Sequence, residues 1–274
     1  MHYVALEILK EFDKICRKNN IDYWLTDGTL LGAVRHKGFI PWDDDVDICI
    51  KASDTDKIIK ILKEELPYYL YVTNDEFFDK KPLSFLKIRD RYSSAAESPE
   101  KHLGIWIDIF PMSEVKESKL LNFIMNVLPS DKIGKKENNK IKKILKIGIW
   151  KVLNIFKLKS KNDLSKIFFN IISKKDNKDS CIYTYGDMWW HTYKKDLIFP
   201  LKEIEFEGHK FYCPNNTKSY LLSYYGKDYM KLPPEHKRIV HCDMINLFEA
   251  DNNVDISLKW KEIEKDCKNI NKII

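Results

Sequence analysis

Val4, Ile8, Phe12 and Ile15 recur at helical spacing, so the pattern predicts an amphipathic helix over residues 3–19. The period then shortens. Tyr23-Trp24-Leu25 reads as a short strand, Gly28-Thr29 as a turn leading into a short helix from Leu30 to His36, and Gly38 and Pro41 as a loop. Val46-Asp47-Ile48-Cys49-Ile50 follows as a buried strand. Ser53 or Asp54 caps a helix whose Ile58, Ile59, Ile61 and Leu62 pack on a sheet until Pro67. Further strands are expected at 68–73, 84–89 and 105–110, and residues 113–175 read as almost wholly helical. Glu203–Phe206 and His209–Tyr212 flank Glu207-Gly208 as a hairpin, Asn216 caps a helix ending at Gly226, and Ile256–Ile274 forms a last helix.

This alternation predicts an α/β or α+β domain, a mixed sheet flanked by helices with a helical insertion. Three parts are expected: a catalytic core over 1–112, a basic helical insertion over 113–180, and a C-terminal part of the same unit over 181–274. A chain of 274 residues with 44% hydrophobic content supplies a sizeable core. Six cysteines at 16, 49, 181, 213, 242 and 267 are scattered without a C-x-x-C pair, which suits reduced thiols in a cytoplasmic protein. The opening residues lack the form of a signal peptide, and the longest uncharged apolar stretch, Leu120 to Pro129, is far below the roughly 18 residues needed to cross a bilayer.

The candidate chemistry lies in Trp42-Asp43-Asp44-Asp45-Val46-Asp47-Ile48. On a strand, residues two apart share a face, so Asp43, Asp45 and Asp47 are expected to point one way while Val46 and Ile48 enter the core. Two unpaired carboxylates about 6 Å apart repel by roughly 2 to 3 kcal/mol at an effective dielectric near 20, and a bound cation reverses that sign. Oxygen ligands suit Mg²⁺ or Mn²⁺. A solvated acidic loop is the plainer alternative, weakened because the run leads directly into an apolar strand. Asp108, within the apolar stretch Ile105–Pro111, is costly to bury unless paired or coordinating metal. It would bind the same cation or take a proton from an attacking hydroxyl, and the sequence leaves both roles open.

Asp27-Gly28-Thr29-Leu30 is similar to the start of haloacid-dehalogenase-type phosphatases, but Leu25 stands where their nucleophilic aspartate would be. Read instead as a helix start, Gly28 and Thr29 offer backbone N–H groups to a phosphate, with Arg35 as a bidentate phosphate contact.

The ungapped stretch from Asp27 to Ile48 resembles the signature of the LicD family, as do Lys87-Ile-Arg-Asp90, Ile107-Asp-Ile-Phe-Pro111, and Tyr225–Pro234 followed by Lys237, Arg238 and His241. The resemblance implies a nucleotidyltransferase-like fold, with Asp45 and Asp47 as metal ligands, Asp43 supporting them and Asp108 as the third acid. It further implies a CDP-activated alcohol donor such as CDP-choline. The acceptor would be a sugar hydroxyl of a teichoic acid, lipopolysaccharide or capsule precursor. Arg89, Lys237 and Arg238 are candidates for the donor phosphates, with surface ion pairs as the alternative. His241 either assists the acceptor or packs, and Trp42 and Tyr229 offer aromatic faces to a base or a choline cation.

The formal net charge of +6 is concentrated: residues 131–161 hold eleven lysines against Asp131 and Glu137, so the rest of the chain sums to −3. Within residues 140–158, apolar residues from Ile141 to Phe156 share a helical face bordered by lysines. This suits either a core helix or peripheral contact with anionic lipid at the inner membrane face, where a lipid-linked acceptor would lie. Nucleic acid is not an expected partner, because the lysines are not interleaved with stacking aromatics. Two rival functions remain: a catalytically silent nucleotide- or glycan-binding protein, and an enzyme that adds a nucleotide to a small molecule.

Overall fold

The computed structural model describes residues 1–73, 85–96, 104–116, 181–184, 191–238, 240 and 244–246. The chain opens with α1 (His2–Lys18), β1 (Tyr23–Leu25), α2 (Asp27–His36) and β2 (Asp47–Lys51), then α3 (Thr55–Glu65), β3 (Leu70–Thr73), β4 (Leu86–Asp90), β5 (Ser94–Ala96) and β6 (Trp106–Lys116). After the central stretch come β7 (Cys181–Thr184), β8 (Thr192–Lys194), α4 (Lys195–Ile198), the hairpin β9 (Lys202–Phe206) and β10 (His209–Cys213), α5 (Thr217–Tyr225) and β11 (Met244–Asn246).

The main sheet runs β1-β2-β6-β4-β3, with β2 and β6 parallel and the other pairs antiparallel. It is the mixed sheet of an α+β fold, as expected. Cross-strand register divides the central strands into two unlike faces. Ile48 pairs with Ile109, and Ile109 with Leu86, while Ile107 pairs with Ile88. All five are buried. The helix α1 presents Ala5, Ile8, Leu9, Phe12, Ile15 and Cys16 to the core and packs against β6 and β4, the amphipathic spacing read from the sequence. Because successive residues of a strand alternate sides, Asp47, Lys87, Trp106 and Asp108 project to the opposite face. A β2–β6 pair covered on both sides explains why β2 reads as a nearly unbroken apolar run.

Two boundaries differ from expectation by three residues or more. Helix α2 begins at Asp27, not Leu30, with Gly28 and Thr29 in its first turn. Strand β6 continues beyond residue 110 to Lys116, because its far end pairs with β7 through Ser113–Lys116; residues 113–116 are therefore strand, not the start of a helical insertion. The short pairings of β7 with β8 and of β5 with β11 were not foreseen. The helices expected over 117–175 and 256–274, including the basic stretch 140–158, lie outside the described residues. The β9–β10 hairpin turns at Glu207-Gly208, both at positive φ, and the Asn216 side chain accepts from Ser219 N–H at the start of α5, both as expected.

Candidate active site

Asp47 and Asp108 meet because β2 and β6 pair in parallel with these two residues in register, and Lys87 of β4 is the antiparallel partner of Asp108 on the other side. Residues directly opposite one another share a face, so the three form one line across adjacent strands. Asp45 joins them from the loop before β2. One carboxylate oxygen from each of Asp45, Asp47 and Asp108 lies within 4.8 Å of the others.

The acidic run does not alternate along a strand, as the spacing had suggested. Only Asp47 belongs to β2; Asp43 and Asp45 precede it, and Asp43 N–H turns back to Ile40 O at 2.9 Å. The loop is fastened from several sides. His2 bonds the Asp43 carbonyl and stacks on Phe39, whose N–H donates to Glu207 Oε1 at 2.9 Å. A methyl group on Gly28 would collide with the Asp43 carboxylate, so glycine is what lets that acid lie against the first turn of α2. Asp44, not singled out from the sequence, is buried, and it forms a second close group with Asp43 and Asp45.

Burial pushes the Asp47 carboxyl well above the ordinary carboxylate range, and Asp45, Asp27, Asp108 and Asp43 push it further. Asp108 is also raised by burial, with Lys87 and a Trp106 hydrogen bond opposing the shift. Its Oδ2 accepts from Trp106 Nε1–H at 3.0 Å, and its Oδ1 lies 3.2 Å from Lys87 Nζ. The Lys87 ammonium in turn sits 4.4 Å from the Trp106 ring centre. Crowded, buried carboxylates with only oxygen donors fit a hard divalent cation, which relieves the repulsion that raises these groups.

A cavity of about 880 Å³ is lined by Asp27, Gly28, Trp42, Tyr224, Tyr225 and Tyr229 together with Lys87 and the acids Asp43, Asp45, Asp47 and Asp108. That volume is of the size that holds a nucleotide-sized ligand. The Tyr224 and Tyr225 rings stand 4.9 Å apart at 81°, forming a corner. Burial, then Asp27 and Asp47, push the Tyr224 phenol up to about 12, and Tyr225 is raised by the same causes, so both stay neutral at physiological pH.

The family described as LicD/FKTN/FKRP, nucleotidyltransferase domain, matches residues 20–132, which contain all of these acids. Over 252 residues, 87% of this chain and 93% of the relative, the sequence is 30% identical to the lipopolysaccharide cholinephosphotransferase LicD of Haemophilus influenzae. The chain belongs to the LicD family. An uncharacterized Rickettsia prowazekii protein is 48% identical over 64 residues, 23% of this chain and 24% of that protein, and one from Rickettsia typhi is 48% identical over 58 residues, 21% and 19%. The molecule is thus a LicD-type transferase, as its Asp27–Ile48 signature suggested.

Several residues expected at the site of this LicD-family enzyme also make structural contacts. The Thr29 hydroxyl accepts the buried Asp47 N–H at 2.8 Å, so it sets the start of β2. Arg35 lines the cavity, but its Nη1 donates to Tyr229 O at 3.1 Å and Lys231 O at 3.3 Å, tying α2 to the loop after α5. Arg89 is 3% exposed, donates from Nη1 to Gly104 O and faces the Trp106 ring at 5.2 Å, and it is not among the residues lining the cavity. Arg238 lies over Trp42 at 4.2 Å, covering one face of an indole expected to receive a ligand. Lys237 ends a short 3₁₀ turn; its side chain, and His241 entirely, lie outside the described residues. Asp27, Lys87, Trp106, Tyr224 and Tyr225 line the cavity without having been named as site residues. Strand period placed Trp106 on the face of Asp108, a signal the sequence did carry.

Proposed function

We propose that this LicD-family enzyme transfers a phospho-alcohol, phosphocholine foremost, from a CDP-linked donor to a sugar hydroxyl of a cell-surface glycan precursor. The observation that carries the proposal is the convergence of Asp45, Asp47 and Asp108 in the lining of a nucleotide-sized cavity. The Haemophilus relative, named as a lipopolysaccharide cholinephosphotransferase, supports the donor group and a glycan acceptor; teichoic acid and capsule precursors are acceptors of the same chemistry.

Asp45, Asp47 and Asp108 would hold Mg²⁺ or Mn²⁺, with Asp43 and Asp44 beside them. A cation held by these carboxylates would supply charge neutralisation and orientation for the donor diphosphate. The acceptor hydroxyl oxygen forms a bond to the β-phosphorus, the bond from that phosphorus to the bridging oxygen breaks, CMP leaves, and the hydroxyl proton passes to a carboxylate of the cluster. Lys87 supplies a fixed positive charge close to the transferring group, and positioning plus charge neutralisation accounts for most catalysis in phosphoryl transfer. The Tyr224–Tyr225 corner offers two aromatic faces beside an acidic wall, a combination that attracts a quaternary ammonium. Work at the cytoplasmic membrane face, through residues 140–158, belongs to the same proposal. Among the described residues no helix is long and apolar enough to cross a membrane.

A panel of CDP-alcohols offered with a glycan acceptor, with products read by mass spectrometry, tests the proposal. Phosphocholine transfer with CMP release is expected, and it should disappear in Asp45→Ala and Asp47→Ala. Full activity in both variants, or pyrophosphate release from a nucleoside triphosphate instead, would refute it. Binding of CDP-choline without turnover would favour a silent binding protein.

A further inference from the structure

Trp106 bears on both oxygens of Asp108, by a hydrogen bond to Oδ2 and, through Lys87, by an ion pair at Oδ1 that forms no hydrogen bond. Trp106 stands two positions earlier on β6, so the pleat places the two on one face. Its indole N–H donates to Oδ2 at 3.0 Å, while its ring lies under the Lys87 ammonium, which reaches Oδ1. Trp106 is only 2% exposed, yet it borders the cavity. A buried indole N–H needs an acceptor, and a buried carboxylate needs donors. A plain core tryptophan would satisfy the first need with any backbone carbonyl. Here the acceptor is the one acid of the cluster that lies on β6.

We propose that Trp106 is a positioning residue that sets the orientation of Asp108 toward a divalent cation, directly through its N–H and indirectly by seating Lys87. This rests on the assignment of Asp108 as a cation ligand made above. Carboxylate ligands are held by hydrogen-bond partners whose loss costs about 10- to 100-fold in metal affinity. Trp106→Phe keeps an aromatic face for Lys87 and removes only the N–H with part of the ring. Replacement by benzothienylalanine keeps the bicyclic shape and removes the N–H alone, which answers the case in which the phenylalanine variant fails to fold.

The test is calorimetric titration of the full chain with Mn²⁺ alone, without nucleotide. Both replacements should weaken Mn²⁺ binding by about 10- to 100-fold. In an Asp108→Asn background the same replacements should add less than about twofold, because the residue they orient has gone. If Asp108→Asn weakens Mn²⁺ binding but the folded Trp106 replacements bind as wild type, Trp106 has no positioning role. An additive loss in the double variant would also refute it, since the indole would then be acting through general packing. If Asp108→Asn itself binds Mn²⁺ as wild type, the cation assignment fails, and that result is distinct from the other two.

Discussion

Replacing Asp47 by asparagine removes a charge while keeping the shape of the side chain, and it should stabilise the metal-free protein while abolishing its chemistry. Oxygens of Asp45, Asp47 and Asp108 lie within 4.8 Å of one another. At an effective dielectric near 20, each fully ionised pair at that separation repels by about 3 kcal/mol. Burial and the neighbouring acids already hold the Asp47 carboxyl well above its ordinary range, so partial protonation relieves some of that repulsion. Lys87 offsets another part through Asp108. The remaining gain is about 1 to 2 kcal/mol, which for a chain of this size raises the unfolding midpoint by a few degrees. Thermal unfolding in EDTA at pH 7.5 should show that rise. With saturating Mg²⁺ the wild type should gain stability by ligand linkage and the variant should gain little, so the order reverses. Transfer should fall by about 10²-fold or more. A variant less stable than wild type in EDTA, or one that keeps both Mg²⁺ stabilisation and turnover, would show that the acids are not held in mutual repulsion.

Gly28→Ala should leave the unfolding midpoint within a few degrees, since alanine is the better helix former by about 1 kcal/mol, yet transfer should fall sharply as the Asp43 carboxylate is displaced; unchanged kcat/KM would refute this. Thr29→Val removes the acceptor of the buried Asp47 N–H and should cost about 1 to 3 kcal/mol in denaturant unfolding, with Thr29→Ser restoring most of it. Burial holds the His191 imidazole below its ordinary value of 6.5. A histidine with a depressed folded pKa costs nothing at pH 8 and destabilises progressively as pH falls through 6.5, because the unfolded chain binds the proton first. His191→Gln should therefore lose less stability than wild type between pH 7.5 and 5.5, and equal slopes would show that His191 titrates normally.

Strand periodicity was sufficient to place Asp47 and Asp108 on buried strands, and local turn chemistry was sufficient for the β9–β10 hairpin and the Asn216 cap. What sequence patterns could not supply were contacts set by the meeting of distant segments. The bond from Arg35 to the Tyr229 carbonyl, 194 positions along the chain, is one of these. Asp44 is buried because the chain turns between Ile40 and Asp43 before β2 begins, and the alternation rule fails once residues leave a strand. The extension of β6 to Lys116 depends on pairing with β7, more than sixty residues later in the chain. Lys87 and Trp106 sat within recognisable segments, but their joint hold on Asp108 becomes visible only when β4 and β6 are set in register.

The parallel ladder between β2 and β6 separates the centre of the enzyme from its connections. Spacing between Asp47 and Asp108 is fixed by backbone pairing, with neighbouring strands about 4.8 Å apart, whatever the length of the chain between them. Segments joining these strands can therefore be lengthened, shortened or exchanged to suit a different acceptor while the two acids keep their distance. An engineer seeking new acceptors has freedom at the periphery and almost none along the ladder.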